Sequence, residues 1–314
     1  MMKKKTVTII SAGFNEEPNV SKFFNKIKSL KINSNISINF ILVDDGSVDN
    51  TWNEMKKISK KNKNVRCIKL SRNFGKELAL SAGVSKAQDD AAIIIDMDLQ
   101  HPVRLIPNMI NLWCNKDIYV VEAIKYKRQT ETIAKKFFSN FFYKVFYIFS
   151  DLKIDNASDY KLLDKKVLYD LKNISETRPF FRGIIAWLGY ESIKITYTPQ
   201  ERKFGKTKWS NFRLVNFALY NIFSFSGKPL ILIWISAFIF LFIAILLSSK
   251  ILYLYFNGEY VPGFTTVYMI QFIMGSLLLF CLSIISNYIH QISEAIKRRP
   301  LYIIAEDTKS KNYK

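Results

Sequence analysis

The sequence predicts an α/β domain with a mainly parallel sheet, followed by two membrane-spanning helices. Three observations carry this. Short, unbroken apolar runs alternate with helical patterns through the first hundred residues, acidic residues end two of those runs, and two long uncharged stretches lie near the C-terminus. Parallel strands read as continuous apolar runs because helices cover both faces of their sheet. A helix that crosses a bilayer needs ~20 apolar residues.

The first strand is the β-branched run at residues 7–10, with a helical pattern over about 18–30. Its start, Lys3-Lys4-Lys5, imitates a signal peptide, but the apolar stretch is short and runs straight into Asn15-Glu16-Glu17-Pro18, so a buried strand is expected. Residues 40–43 form a second strand, which stops at Asp44-Asp45-Gly46-Ser47. A polar helix over about 49–61 leads to a third strand at 65–70. The fourth, residues 91–95, ends at Asp96-Met97-Asp98. In such sheets ligands bind beyond the carboxyl ends of the strands, where these acids fall. Neither a GxGxxG nor a GxxxxGK(S/T) motif is present, which leaves out a dinucleotide fingerprint and a P-loop.

The uncharged stretches are residues 230–247 and 264–289, long enough to span. Buried core helices are the alternative, but these rarely stay apolar all round for that length. The linker Asn257-Gly258-Glu259-Tyr260-Val261-Pro262-Gly263 has no Lys or Arg. Lys203, Lys206, Lys208, Arg213 and Lys228 precede the first span, and Lys297-Arg298-Arg299 follow the second. The positive-inside bias then puts both termini in the cytoplasm, and Lys250 snorkels to the outer interface. The expected organisation is a cytosolic domain over 1–208, a juxtamembrane amphipathic helix over 209–228, a hairpin over 229–291 (spans at about 230–249 and 265–289) and a basic tail over 292–314. Two aromatic, basic segments, 133–149 and 209–225, read either as helices in the headgroup layer or as helices packed on the domain.

Composition agrees. In 314 residues, 46 Lys and Arg outnumber 26 Asp and Glu for a net charge of +20, yet mean hydropathy is +0.04. A hydrophobic content of 49% excludes a disordered chain. So much positive charge points to nucleic acid, a membrane surface or anionic substrates. Cys67, Cys114 and Cys281 are far apart, and with two histidines they exclude a disulfide framework and a zinc cluster and fit a reducing compartment.

Asp96 and Asp98 at a strand end are the pattern that holds a hard divalent cation on a diphosphate. A lone DxD is also a common turn. What makes it specific is its company: Val43-Asp44-Asp45-Gly46-Ser47, Ser71-Arg72-Asn73-Phe74-Gly75-Lys76 and Asp96-Met97-Asp98-Leu99-Gln100-His101-Pro102, in that order. This set resembles the family 2 glycosyltransferases of the GT-A fold (Rossmann-like, mainly parallel sheet), in particular the polyprenyl-phosphate glycosyltransferases. That subgroup includes dolichyl-phosphate mannose synthase and the bactoprenol glucosyltransferases. The resemblance extends from Phe14-Asn15-Glu16-Glu17 through Asn156 to Lys165, Phe180-Phe181-Arg182-Gly183, and Arg202-Lys203-Phe204-Gly205-Lys206-Thr207-Lys208-Trp209. Departures are mild: Ala12-Gly13 for Pro-Val, Tyr160-Lys161 for Phe-Arg, Thr207-Lys208-Trp209 for Ser-Lys-Tyr, and His101 where an acid is usual.

The resemblance implies an inverting transfer from a nucleotide sugar to polyprenyl (undecaprenyl) phosphate. Asp44 and Asp45 would read base and ribose, with Asn15 and Glu17 near the base. Asp96 and Asp98 would hold Mg²⁺ or Mn²⁺, with Gln100 nearby. Asp159 matches the subgroup's base, or else orients the acceptor. Arg182, Arg202 and Lys208 would offset the negative charge of the two phosphate groups. Lys76 either contacts the donor or caps a helix, His101 is a turn residue, and Lys125 and Arg128 fall near the family's phosphate-binding arginines. The hairpin favours a UDP-hexose such as UDP-glucose; GDP-mannose is the alternative donor. Also implied are membrane lipids, a homo-oligomer (a tetramer in bactoprenol-type relatives), a flippase and a downstream glycosyltransferase as partners, and the bacterial inner membrane as location. Three other readings stand beside it. A processive polysaccharide synthase needs more spans and a Gln-x-x-Arg-Trp motif, absent here. A non-enzymatic scaffold has no use for the DxD, and a nucleic-acid-binding module has none for the family motifs.

Overall fold

The structure, a computed structural model, describes residues 4–115, 118–125, 147, 158–174, 179–198, 229–258, 263–297 and 299–310. Arg128, Arg202, Lys203, Lys206 and Lys208, the helix expected over 209–228 and all but Tyr147 of the segment 133–149 lie outside the described residues.

The first unit is a sheet covered by helices. Its strands are β1 (Lys5–Gly13), β2 (Ile36–Asp44), β3 (Val65–Leu70), β4 (Ala91–Ile94), β5 (Val120–Lys125), β6 (Lys161–Asp164), β7 (Ser192–Tyr197) and β8 (Ile304–Asp307). They lie in the order β7-β5-β6-β4-β1-β2-β3-β8. β1 to β4 run parallel, as expected, and β7 is parallel to β5. β6 is antiparallel to β4 and β5, and β8 to β3. β1 to β4 bury most of their side chains, β4 all four, because helices pack on both faces.

The helices are α1 (Glu17–Lys28), α2 (Thr51–Lys61), α3 (Lys76–Lys86), α4 (Ile106–Asn115), α5 (Lys165–Asn173) and α6 (Phe181–Leu188). α1 and α2 present Val20, Phe23, Ile27, Trp52 and Met55 to Ile9, Leu42 and Cys67 of the sheet. α3 covers the other face, where Gly83 permits contact: a Cβ there would lie 2.5 Å from Ile10 Cγ2.

The second unit contains two long helices, α7 (Pro229–Phe256) and α8 (Phe264–Ile296). Phe238, Phe242 and Leu279 are among their exposed apolar side chains, and Ser236 Oγ of α7 lies 3.6 Å from Cys281 Sγ of α8. Among the described residues, the stretch Ile273–Glu294, 22 residues long, is long and apolar enough to cross a membrane.

Candidate active site

Register builds the site. Ile94, the last residue of β4, is opposite Lys161, the first of the antiparallel β6. Asp159, two residues before β6, therefore arrives beside Asp96, two residues after β4. From the other side of β1, the loop after β3 delivers Lys76 at the start of α3. Its Nζ lies 2.7 Å from Asp96 Oδ1 and 2.5 Å from Asp159 Oδ2. Arg182, in the first turn of α6, donates from Nε and Nη2 to the two oxygens of Asp159 at 2.7 and 3.0 Å. Four of the charged residues singled out in the sequence thus meet at the carboxyl end of β4. Lys76, for which donor contact and helix capping were the alternatives, bridges two carboxylates.

The electrostatics follow from that packing. Asp159 has a side chain 3% exposed; burial alone would raise its pKa, but Arg182 and Lys76 hold it well below the usual carboxylate range. Asp96 is likewise lowered: burial opposes ionisation, and Lys76 and His101 outweigh it. For Lys76, burial favours the neutral amine, yet Asp159 and Asp96 push its pKa up, so it stays an ammonium ion. All three groups are charged at neutral pH.

The second half of the candidate site lies at the ends of β1 and β2. Asn15 takes positive φ (54°) and interlocks with the following loop: its N–H donates to Ser47 Oγ at 2.9 Å and its Oδ1 accepts from Val48 N–H at 3.0 Å. Glu17 accepts from Asn50 N–H at 3.3 Å. Gly46, at φ +69°, has no room for a side chain, since a Cβ would lie 2.4 Å from the Arg72 carbonyl carbon. Asp45 accepts from the N–H groups of Phe74 and Gly75 at 2.8 and 2.9 Å, which ties that loop down just before Lys76. Asp44 is fully buried; Oδ1 accepts from Ser47 N–H at 3.1 Å, whereas Oδ2 is buried with no hydrogen-bond partner among the described residues. Burial raises both carboxyls.

Asp98 folds back on its own turn, accepting from Gln100 N–H at 3.1 Å, and Leu99 between them takes a φ of 61°. A bulky residue in the left-handed region is a strain that recurs at functional loops. Among the described residues no group of three His, Cys, Asp or Glu converges as a metal cage. His101, expected as a turn residue, is buried and faces Asp96. Glu77 and Tyr197, which the sequence did not single out, also belong to this centre. Glu77 accepts from Phe181 N–H at 3.1 Å, and the Tyr197 hydroxyl meets His101. Lys125 is the last residue of β5.

Comparison with known proteins fits this geometry. Residues 8–171, just over half the chain, match the family described as glycosyl transferase family 2. The chain belongs to glycosyl transferase family 2. An uncharacterized glycosyltransferase of Synechocystis is 35% identical over 302 residues, covering 96% of this chain and 95% of that protein. A prophage-derived bactoprenol glucosyl transferase of Shigella flexneri is 30% identical over 304 residues, covering 95% and 97%. Among solved structures, glucosyl-3-phosphoglycerate synthase from Mycobacterium tuberculosis, crystallised with Mn²⁺, UDP and phosphoglyceric acid, superimposes with a TM-score of 0.50. It is 15% identical and covers 71% of this chain and 79% of its own, a likeness of fold. The family 2 fold is thus GT-A-like, with a mixed, mostly parallel sheet.

Proposed function

We propose that this chain transfers a hexose, with inversion, from a nucleotide-sugar donor (a UDP-sugar such as UDP-glucose) to polyprenyl phosphate. The observation that carries the reading is the convergence of Asp96, Asp159, Lys76 and Arg182 at the carboxyl end of β4 in a family 2 chain. Relatives named as bactoprenol glucosyl transferases, alike over nearly the whole length, support the acceptor.

On the donor side, Asp44 has a buried oxygen with no partner among the described residues, a group that a base N–H would satisfy, and Asn15 and Glu17 follow the neighbouring strand β1. Asp96 and Asp98 supply hard carboxylate oxygens of the kind Mg²⁺ or Mn²⁺ takes. The donor set fits such an ion, since a cation, the Lys76 ammonium, already rests on Asp96. A bound divalent ion would neutralise the charge of the departing nucleoside diphosphate. On the acceptor side, a phosphate monoester has a second pKa of ~6 and is itself an ionised nucleophile at neutral pH. Asp159, held ionised well below that range, is a poor proton acceptor. Its role in this reading is to fix Lys76 and Arg182 so that, with Arg202 and Lys208, they draw two anionic substrates together. Positioning and charge compensation then lower most of the barrier.

The apolar helices suit a hairpin, α7 with α8, in the bacterial cytoplasmic membrane, with the catalytic domain and both termini cytosolic. Membrane lipids, further copies of the chain, a flippase and a downstream glycosyltransferase are the partners this reading includes. The test incubates membranes containing the protein with undecaprenyl phosphate and a panel of labelled nucleotide sugars, with and without EDTA. Lipid-linked product from a UDP-hexose, lost with EDTA, is expected. No product from any donor would overturn the activity, and EDTA-insensitive turnover would overturn the metal.

A further inference from the structure

The geometry points to Tyr197 and His101 as positioning residues that aim the Asp96 carboxylate at its divalent cation. This rests on the proposed reading of Asp96 as a ligand to that ion.

Tyr197 ends β7 and His101 follows the DxD turn, 96 residues away; both are 5% exposed. The Tyr197 hydroxyl lies 2.6 Å from His101 Nδ1, and His101 Nε2 lies 3.3 Å from Asp96 Oδ2. A carboxylate offers His101 Nε2 an acceptor oxygen, and the Tyr197 hydroxyl can donate to Nδ1. Nε2 therefore carries the proton toward Asp96, and Tyr197 O–H donates to Nδ1, an assignment made from the partners. Two tyrosines hold the imidazole in place: its centroid lies 5.3 Å from the Tyr160 ring and 5.6 Å from that of Tyr197. The fully buried Tyr160 also ties down the turn, its hydroxyl donating to the Pro102 carbonyl at 3.3 Å.

The arrangement divides the two oxygens of Asp96. Oδ2 is held by His101, and Oδ1 takes a cation, the Lys76 ammonium at 2.7 Å, on the side away from the imidazole's bond. A carboxylate pinned by one oxygen loses little further freedom when the other takes a cation. Such outer partners commonly govern metal affinity, their removal weakening it 10–100-fold.

Mn²⁺ binding to the detergent-solubilised full chain, in the presence of UDP and read from the EPR signal of free Mn²⁺, tests this without turnover. Tyr197→Phe keeps the ring and removes one hydroxyl; it should weaken Mn²⁺ binding by roughly 10-fold while still unfolding cooperatively, its melting temperature lowered only by the loss of one buried hydrogen bond. His101→Ala should weaken it by up to ~100-fold, and His101→Gln, which keeps an N–H donor, should bind more tightly than His101→Ala. Should His101→Ala fail to fold, Tyr197→Phe decides alone. Variants that bind Mn²⁺ as tightly as the wild type would overturn the relay and leave the metal reading intact. Wild-type protein that binds no Mn²⁺ would overturn both.

Discussion

Glu77 follows Lys76 on α3 and spends its carboxylate on a neighbouring helix. Oε2 accepts from the first N–H of α6, whose N-cap residue, Phe180, has no side-chain acceptor to offer. The next residue is Arg182, so Glu77 seats the turn that presents Arg182 to Asp159. Burial, reinforced by the charge of Asp159 and opposed by Lys76, pushes the Glu77 carboxyl up to about 7. A carboxyl raised in the folded state binds protons more tightly there than in the unfolded chain. Its contribution to stability is then complete below the ordinary value of 4.5 and is lost as pH rises through about 7. Glu77→Gln keeps an acceptor for Phe181 and removes the titration. Its melting temperature should gain on the wild type between roughly pH 5 and pH 8, while Glu77→Ala should lose about 1 kcal/mol with the cap. Asp44 and Asp45, also raised, are common to both proteins and cancel in the difference. Parallel wild-type and Glu77→Gln curves would refute the titration. Asp96 and Asp98 are legible in the sequence because chemistry and local spacing coincide at a strand end, whereas Asp159 and Arg182 are legible only through the resemblance to the family's motifs. Glu77 and Tyr197 are legible in neither way, since their partners are 104 and 96 residues away and only strand register and helix docking bring them in.

At the scale of elements, legibility follows burial. β1 to β4 lie where continuous apolar runs predict them, though β1 and β2 extend further at each end as pairing reaches past the apolar segment. β8 escapes that logic. Ile304-Ala305-Glu306-Asp307 is half acidic, falls in the segment expected as a basic tail, and among the described residues pairs on one side only, with β3. Its anchors are polar. Arg66 donates from Nε and Nη2 to Asp307 at 3.0 and 2.6 Å, Trp52 Nε1 donates to Glu306 at 2.9 Å, and Cys67 N–H to Thr308 Oγ1 at 2.9 Å. Asp307 is 2% exposed but Arg66 is 22% exposed, so removing the acid leaves a partly solvated cation. Asp307→Ala should therefore cost about 3 kcal/mol, the low end for a broken buried pair. Urea unfolding would measure it, and limited proteolysis should cut first after β3 loses its edge partner. An unchanged unfolding midpoint would mean that β8 is held by its backbone pairing alone.

For the whole molecule, β8 constrains topology. The sheet that contains β1 to β7 before α7 also contains β8 after α8. No bilayer divides a hydrogen-bonded sheet, because backbone groups in lipid must be satisfied within helices or closed barrels. The chain therefore leaves from and returns to one side, and the apolar helices between must cross an even number of times or not at all. The basic residues fit the crossing version: Lys297, Arg298 and Arg299 follow α8, while the connection at 257–263 has no Lys or Arg. In the proposed reading that segregation would also reconcile a net charge of +20 with so apolar a chain, by setting the positive charge against anionic headgroups and phosphates. Replacing Cys67, Cys114 and Cys281 and introducing Asn257→Cys or Ser310→Cys tests the hairpin with a membrane-impermeant maleimide. In intact cells Asn257→Cys should react and Ser310→Cys should not, and permeabilisation should make both react. Protection of both positions in intact cells would leave α7 and α8 lying along the inner face, and labelling of both would move the catalytic domain to the outside.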